Sequence, residues 1–216
     1  MRNARHITRG APRAFPLRAV EDPGWHARLR KMLINSAWYY RLPLWLYLFY
    51  VGVRQFFEPV DYSSLFAPIN MCIHEGGHLL CRAFPEFIHV AAGTAAQLLA
   101  PVAAMFILAR QQDPFGMTFC FGWLSTNFIG VGVYMADARA RELPLVTAEG
   151  VGTTNATIHD WAYLFGQLGL MEYDTTIGFI TRAIGSATML LALVSGAWIL
   201  REMAIVNREA PKKSDL

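Results

Sequence analysis

Apolar residues run along this chain in long blocks separated by short polar breaks. Blocks near 42–57, 65–84, 87–109, 115–136 and 179–200 hold few charges. A helix of about 20 apolar residues crosses a hydrocarbon layer about 30 Å thick, so each block predicts a membrane span. The first block is short, and its aromatic flanks extend it. The long connection 137–178 contains another apolar stretch at 158–170, with Trp161, Tyr163, Leu164, Phe165 and Leu168. That stretch predicts a helix at the membrane surface or a re-entrant piece. Ahead of the first span, Trp25, Leu29, Met32 and Leu33 recur at helical spacing, with Arg28, Arg30 and Lys31 off their face. This pattern fits a short interfacial helix on the bilayer or a helix packed on the protein. The expected fold is an all-α polytopic membrane helix bundle of about five to six spans with an interfacial N-terminal helix.

Composition agrees with that pattern. The chain is 54% hydrophobic and only 16% charged, where an ordinary soluble domain carries roughly 25% charged residues. The cations cluster early, at Arg2, Arg5, Arg9, Arg13, Arg18, Arg28, Arg30, Lys31 and Arg41, opposed by Glu21 and Asp22. The expected organisation is a basic cytoplasmic arm with the interfacial helix at 1–36, a membrane-embedded domain at 37–204 and a polar tail at 205–216. Residues 1–23, with four Gly/Pro positions and charges of one sign before Glu21, are expected to be disordered. No continuous apolar stretch in 1–36 suggests a cleavable signal. A basic segment directly before a span faces anionic lipid and orients the chain, so the partner is the lipid bilayer and not nucleic acid. The expected location is a bacterial inner membrane with the N-terminus cytoplasmic. Counting spans from that start puts Arg201, Arg208, Lys212 and Lys213 outside, against the positive-inside rule. The count therefore leaves room for a missed span or for a crossing by 158–170. Cys72, Cys81 and Cys120 have no paired spacing and are expected to be buried small hydrophobes.

Chemistry concentrates in His74-Glu75-Gly76-Gly77-His78. On a helix, positions i and i+4 share a face, so both imidazoles can grip one metal ion with the glutamate beside it. With six His in 216 residues, roughly 0.007 such matches arise by chance, so the pattern is specific for a zinc hydrolase motif. Two His and a Glu in an apolar block are costly unless they face a metal, a cavity or each other. Gly76 and Gly77 leave space beside a metal or permit close backbone approach.

A catalytic zinc site needs a third protein ligand besides water. Asp137, in Ala136-Asp137-Ala138-Arg139, and His159, in His159-Asp160-Trp161, are the candidates. Asp137 alternatively pairs with Arg139 or Arg141, and His159 alternatively sits at the surface before a helix. Asp160 is a candidate to orient a ligand histidine from behind. His89 reads as an interface residue. Asn127 reads as a helix-packing amide or an oxyanion donor.

The motif, followed by one span and then a span ending in Asp137, resembles the core of site-2-protease-like intramembrane zinc metalloproteases. Over 65–170, with Leu143-Pro144-Leu145 and His159-Asp160-Trp161, the chain also looks like a group of small bacterial membrane proteins. The resemblance implies Zn2+ held by His74, His78 and Asp137. It implies Glu75 as general base and hydrolysis of a membrane protein or peptide substrate in or near the bilayer. The family's L-D-G or N-P-D-G around the aspartate is replaced here by Ala136-Asp137-Ala138. A zinc hydrolase of a lipid or amide and a non-enzymatic metal-binding membrane protein are the competing readings. The sequence leaves the oligomeric state open.

Overall fold

In the computed structural model the described residues are 24–33, 37–58, 63–143, 146–147, 150–151 and 159–209. The expected disorder of 1–23, most of the 144–158 loop and the end of the tail lie outside them. The chain is all-α, as expected, apart from the antiparallel pairing of Val146–Thr147 with Gly150–Val151. Seven helices follow in order among the described residues: α1 (Trp25–Leu33), α2 (Trp38–Phe57), α3 (Phe66–Leu80), α4 (Glu86–Arg110), α5 (Pro114–Ala136), α6 (Asp160–Leu168) and α7 (Asp174–Glu209). Their boundaries have local causes. Asp113 accepts a hydrogen bond from Gly116 N–H and Pro114 opens the first turn of α5, a pairing that suits a helix start. Gly169, with φ at 67°, closes α6 in the left-handed conformation that favours glycine.

Small residues set the spacing of the bundle. A Cβ on Gly178 of α7 would fall 2.9 Å from Ala136 Cβ, and one on Gly132 of α5 would fall 2.7 Å from Gly178 O. Gly185 lies as tightly against Ile129, and Ser125 Oγ donates to Gly185 O at 2.7 Å. Helices in an apolar solvent associate through such close packing and internal hydrogen bonds, because burying apolar surface gains little there. α5 thereby becomes the central helix, with α2, α3, α4, α6 and α7 around it.

Three helices, α4, α5 and the segment Met171–Glu209 that contains α7, are long and apolar enough to cross a membrane. The apolar blocks predicted five to six. α2 reaches 20 residues but contains Arg41, Arg54 and Pro43. α3 has 15 residues, a length of about 22 Å at 1.5 Å per residue. α7, at 36 residues, is about 54 Å long and overshoots a bilayer. Its last turns hold α1. Leu33, Phe115, Ile199, Leu200 and Met203 form one buried cluster with Leu29, Trp38 and Trp45 against it, and Arg30 pairs with Glu209 at 2.9 Å. α1 thus packs on the protein. The cysteine expectation holds for Cys120, which is buried, and fails for Cys72, which is exposed on the outer face of α3.

Helix directions follow from the cross-links. Arg41 at the start of α2 bonds Asp113 at the start of α5, Trp45 Nε1 donates to Leu193 O just past the middle of α7, and Trp38 packs against the cluster that includes Ile199 and Met203 further along it. One end of the bundle therefore carries α1, the start of α2 and the end of α7. At the other end, Arg139 after α5 pairs with Asp174 at the start of α7 at 2.7 Å. α3 departs from simple up-and-down order. Leu65 N–H donates to Tyr47 Oη at 3.0 Å, and Phe66 lies against Tyr47, Phe119 and Trp123. α3 therefore begins at the depth of mid-α2, about 15 Å back from the end of α2 at 1.5 Å per residue. It then returns beside α4 to the end that α2 had already reached. It is a half-depth helix, and the end of α7 comes to lie at the end of the bundle that carries α1.

If glycine packing sets the α5–α7 distance, Gly178→Leu will lower stability by about 1–3 kcal/mol. Thermal unfolding in detergent checks this, with a fall in Tm expected for Gly178→Leu and little change for Gly130→Leu, where a Cβ meets nothing within 4 Å.

Candidate metal centre

His74 and His78 lie on the face of α3 that meets α4. Between them Gly77 takes the closest approach, where a Cβ would fall 2.8 Å from Ala96 Cβ and against the Ala92 carbonyl. Gly76 points to open space. α4 answers with His89, Gly93 and Gln97, one residue per turn on a single face. A Cβ on Gly93 would sit 2.8 Å from His74 Nε2 and 2.7 Å from His78 Cε1. Glycine at 93 is what leaves the two imidazoles room.

The hydrogen bonds behind the imidazoles decide where their protons are. Asn127 Nδ2 donates to the main-chain carbonyl of Gln97, which fixes the Asn127 amide. Its Oδ1 then accepts from Gln97 Nε2 at 3.0 Å, which fixes the Gln97 amide. Gln97 Oε1 is left to face His74 Nδ1 at 3.1 Å, so that nitrogen carries the proton. His78 Nδ1 faces the main-chain carbonyl of His89 at 2.9 Å and is likewise the donor. A neutral imidazole protonated at Nδ1 presents a lone pair at Nε2.

Those two lone pairs converge. His74 Nε2 and His78 Nε2 are 3.0 Å apart. Asp160 Oδ2 lies 2.9 Å from the first and 3.3 Å from the second. Among the described residues, these three side chains offer ligand atoms all within 4.8 Å of one another. Three acceptors facing one point repel unless a cation or an added proton stands between them. Two imidazoles and a carboxylate suit zinc, and hydrogen-bonded outer partners of this kind orient zinc ligands. The side chains of His74, His78 and Asp160 remain 12%, 17% and 10% exposed, so the centre keeps a path to the surface.

Asp160 reaches this point because α6 begins there. As the first residue of α6 it sits where a helix favours an anion, and its N–H donates to Tyr134 Oη at 3.1 Å. The residue before it, His159, caps the helix. Its Nδ1 accepts from Ala162 N–H at 3.2 Å, which places its proton on Nε2, 3.4 Å from Asp137 Oδ2. Burial lowers the pKa of His159 below the ordinary histidine value, with the Asp137 charge opposing, so the ring is held neutral. Asp137 in turn accepts from the N–H groups of Glu142 and Leu143 at 2.9 and 3.2 Å.

The expected third ligands, Asp137 and His159, lie beside each other and outside the group formed by His74, His78 and Asp160. The physical reason is prior commitment. The carboxylate of Asp137 satisfies the backbone that leaves α5, and His159 Nδ1 satisfies the first turn of α6. Together they hold the start of α6 where Asp160 faces the histidines. Sequence reasoning gave Asp160 a supporting role, and the structure puts its carboxylate in the ligand group. It missed Gln97 and His89 as the acceptors that set the tautomers. The available signal was a polar residue in an apolar block at 97, eight residues from His89 and so on the same helix face. Asn127 is a packing amide, as expected, and it also anchors Gln97.

Glu75 is partly buried beside His74 and makes no hydrogen bond or ion pair among the described residues. No protein-family model matches the chain, and no curated protein or solved structure matches it. The centre is thus read from its own geometry.

Two substitutions probe that geometry. Gly93→Val should fill the space in front of the imidazoles and abolish metal binding in a protein that still folds. Gln97→Leu should leave all three ligand groups in place but weaken zinc affinity by about 10–100-fold. Chelator competition on the purified protein measures both.

Proposed function

We propose that this protein is a membrane-embedded zinc metallohydrolase that cleaves peptide bonds in or near the bilayer. The observation that carries the reading is the convergence of His74 Nε2, His78 Nε2 and Asp160 Oδ2, all acceptors, with an unengaged Glu75 beside them. His74, His78 and Asp160 would hold the ion. When bound, zinc supplies a Lewis acid that acidifies water and polarises a carbonyl.

The chain's own residues supply the rest. Glu75 follows His74 directly and has no hydrogen-bond or ion-pair partner among the described residues, so in this reading its carboxylate accepts a proton from the attacking water and passes it to the leaving amine. Gln97 and the His89 carbonyl take the Nδ1 protons of the two imidazoles and aim their Nε2 atoms at the common point. Asp137, His159 and Tyr134 hold the start of α6.

The membrane setting is supported by the exposed apolar surface. Leu99, Phe106 and Ile107 on α4, and Phe179, Leu190 and Val194 on α7, are each more than half exposed, which is where lipid belongs. In this reading α2 joins α4, α5 and α7 as a crossing helix, and α3 enters and leaves on one side. α1, with Trp25 and Met32 outward, lies at the interface.

Metal analysis of detergent-purified protein tests the centre. About one zinc per chain is expected, lost in His74→Ala and Asp160→Ala, with Asp137→Ala and His159→Ala weakening it through α6. Zinc lost with Asp137→Ala but retained in Asp160→Ala would reassign the third ligand. Glu75→Gln should keep its zinc and lose hydrolysis by at least about 10²-fold, while retaining bound polypeptide. Hydrolysis unchanged in Glu75→Gln would leave a metal-binding protein without this mechanism.

A further inference from the structure

The half-depth course of α3 decides which end of the bundle the centre faces. His74 and His78 occupy the last two turns of α3, His89 the first turn of α4 and Tyr134 the last turn of α5. All of these turns lie at the α6 end. Toward the other end the centre is closed. Gln97 and the fully buried Asn127 lie directly behind His74. Deeper still, Trp123 Nε1 donates to Asn70 Oδ1 at 2.6 Å, and Trp123 stacks on Phe66 with rings 13° from parallel. Water or substrate reaches the ligands from the α6 end.

The cations lie at the opposite end. α1 brings Arg28, Arg30 and Lys31 there, joined by Arg41, Arg110, Arg201 and Arg208. The α6 end has fewer, Arg54, Arg82, Arg139, Arg141 and, two turns into α7, Arg182, of which Arg54 is paired with Glu58 and Arg139 with Asp174. In the sequence, five more arginines precede α1 and two lysines follow α7. Orientation in membranes follows the excess of Lys/Arg in short segments beside the spans. The α1 end is then the cytoplasmic one.

Building on the metallohydrolase reading, the geometry points to a centre that opens to the extracytoplasmic face, so its substrate is a polypeptide segment met at the outer leaflet. The metal is loaded and lost from that side as well.

Single cysteines in a background of Cys72→Ser, Cys81→Ser and Cys120→Ala test the sidedness. Glu142→Cys marks the α6 end and Gln111→Cys the α1 end, both at exposed positions. With a membrane-impermeant maleimide on intact bacterial cells, Glu142→Cys is expected to be labelled and Gln111→Cys only after lysis. Labelling of Gln111→Cys in intact cells, or protection of both, overturns the proposal. The unmodified protein gives a second measurement. EDTA should strip zinc from sealed vesicles with the outer face exposed and spare inverted ones, and the reverse overturns the proposal. Release of the protein by alkaline carbonate would instead remove the membrane reading. Absence of zinc with the labelling pattern intact would remove the metal reading and leave the orientation standing.

Discussion

A polar group inside an apolar helix bundle has to find its partner within the bundle, because no water stands ready to replace it. That constraint organises this protein. Each imidazole of the histidine pair spends its Nδ1 proton on a carbonyl oxygen behind it, one from a glutamine side chain and one from a backbone. The glutamine is held by an asparagine, and the asparagine by a main-chain carbonyl that cannot turn round. The direction of every proton in the chain is settled at that last oxygen. The two Nε2 atoms are left with lone pairs, and Asp160 adds a charge to the same point.

Helix packing serves this arrangement. Glycines 77 and 93 allow α3 and α4 to approach until the imidazoles fit between them, and a single methyl at 93 would occupy their space. Glycines 132, 178 and 185 bring α7 against α5 so that α5 can stand at the centre and present Asn127 on one side and Tyr134 on another. The packing that stabilises the bundle and the packing that shapes the site thus rest on the same residue type. In a membrane that economy has a simple cause, since close backbone approach replaces the burial of apolar surface as the source of cohesion.

The third member of the site comes from a different kind of element. α6 is nine residues long and packs through Ala162 and Phe165 against Ala138 and Met135. Its position depends on a latch of Asp137, His159 and Tyr134 around its first turn. A ligand carried on a short helix after a long loop is adjustable in a way that ligands on α3 are not. The pair on α3 defines the place, and α6 completes it.

Much of this was legible in the residue order. The apolar blocks located α4, α5 and α7, because a span is a local property of composition and length. His74-Glu75-Gly76-Gly77-His78 located the centre, because i and i+4 on a helix are neighbours whatever surrounds them. The glycine pair inside the motif already implied a close neighbour. Three things waited for the tertiary structure. Which acidic side chain lies with His74 and His78 turned on which groups were already committed to backbone at helix ends, and those commitments depend on how the helices pack. The tautomers turned on partners 11, 23 and 30 residues away. The end of the bundle that His74 and His78 face turned on the depth at which α3 begins. Hydropathy records that a segment is apolar but not how far into the bundle it starts, and that depth is set by a contact between Leu65 and Tyr47.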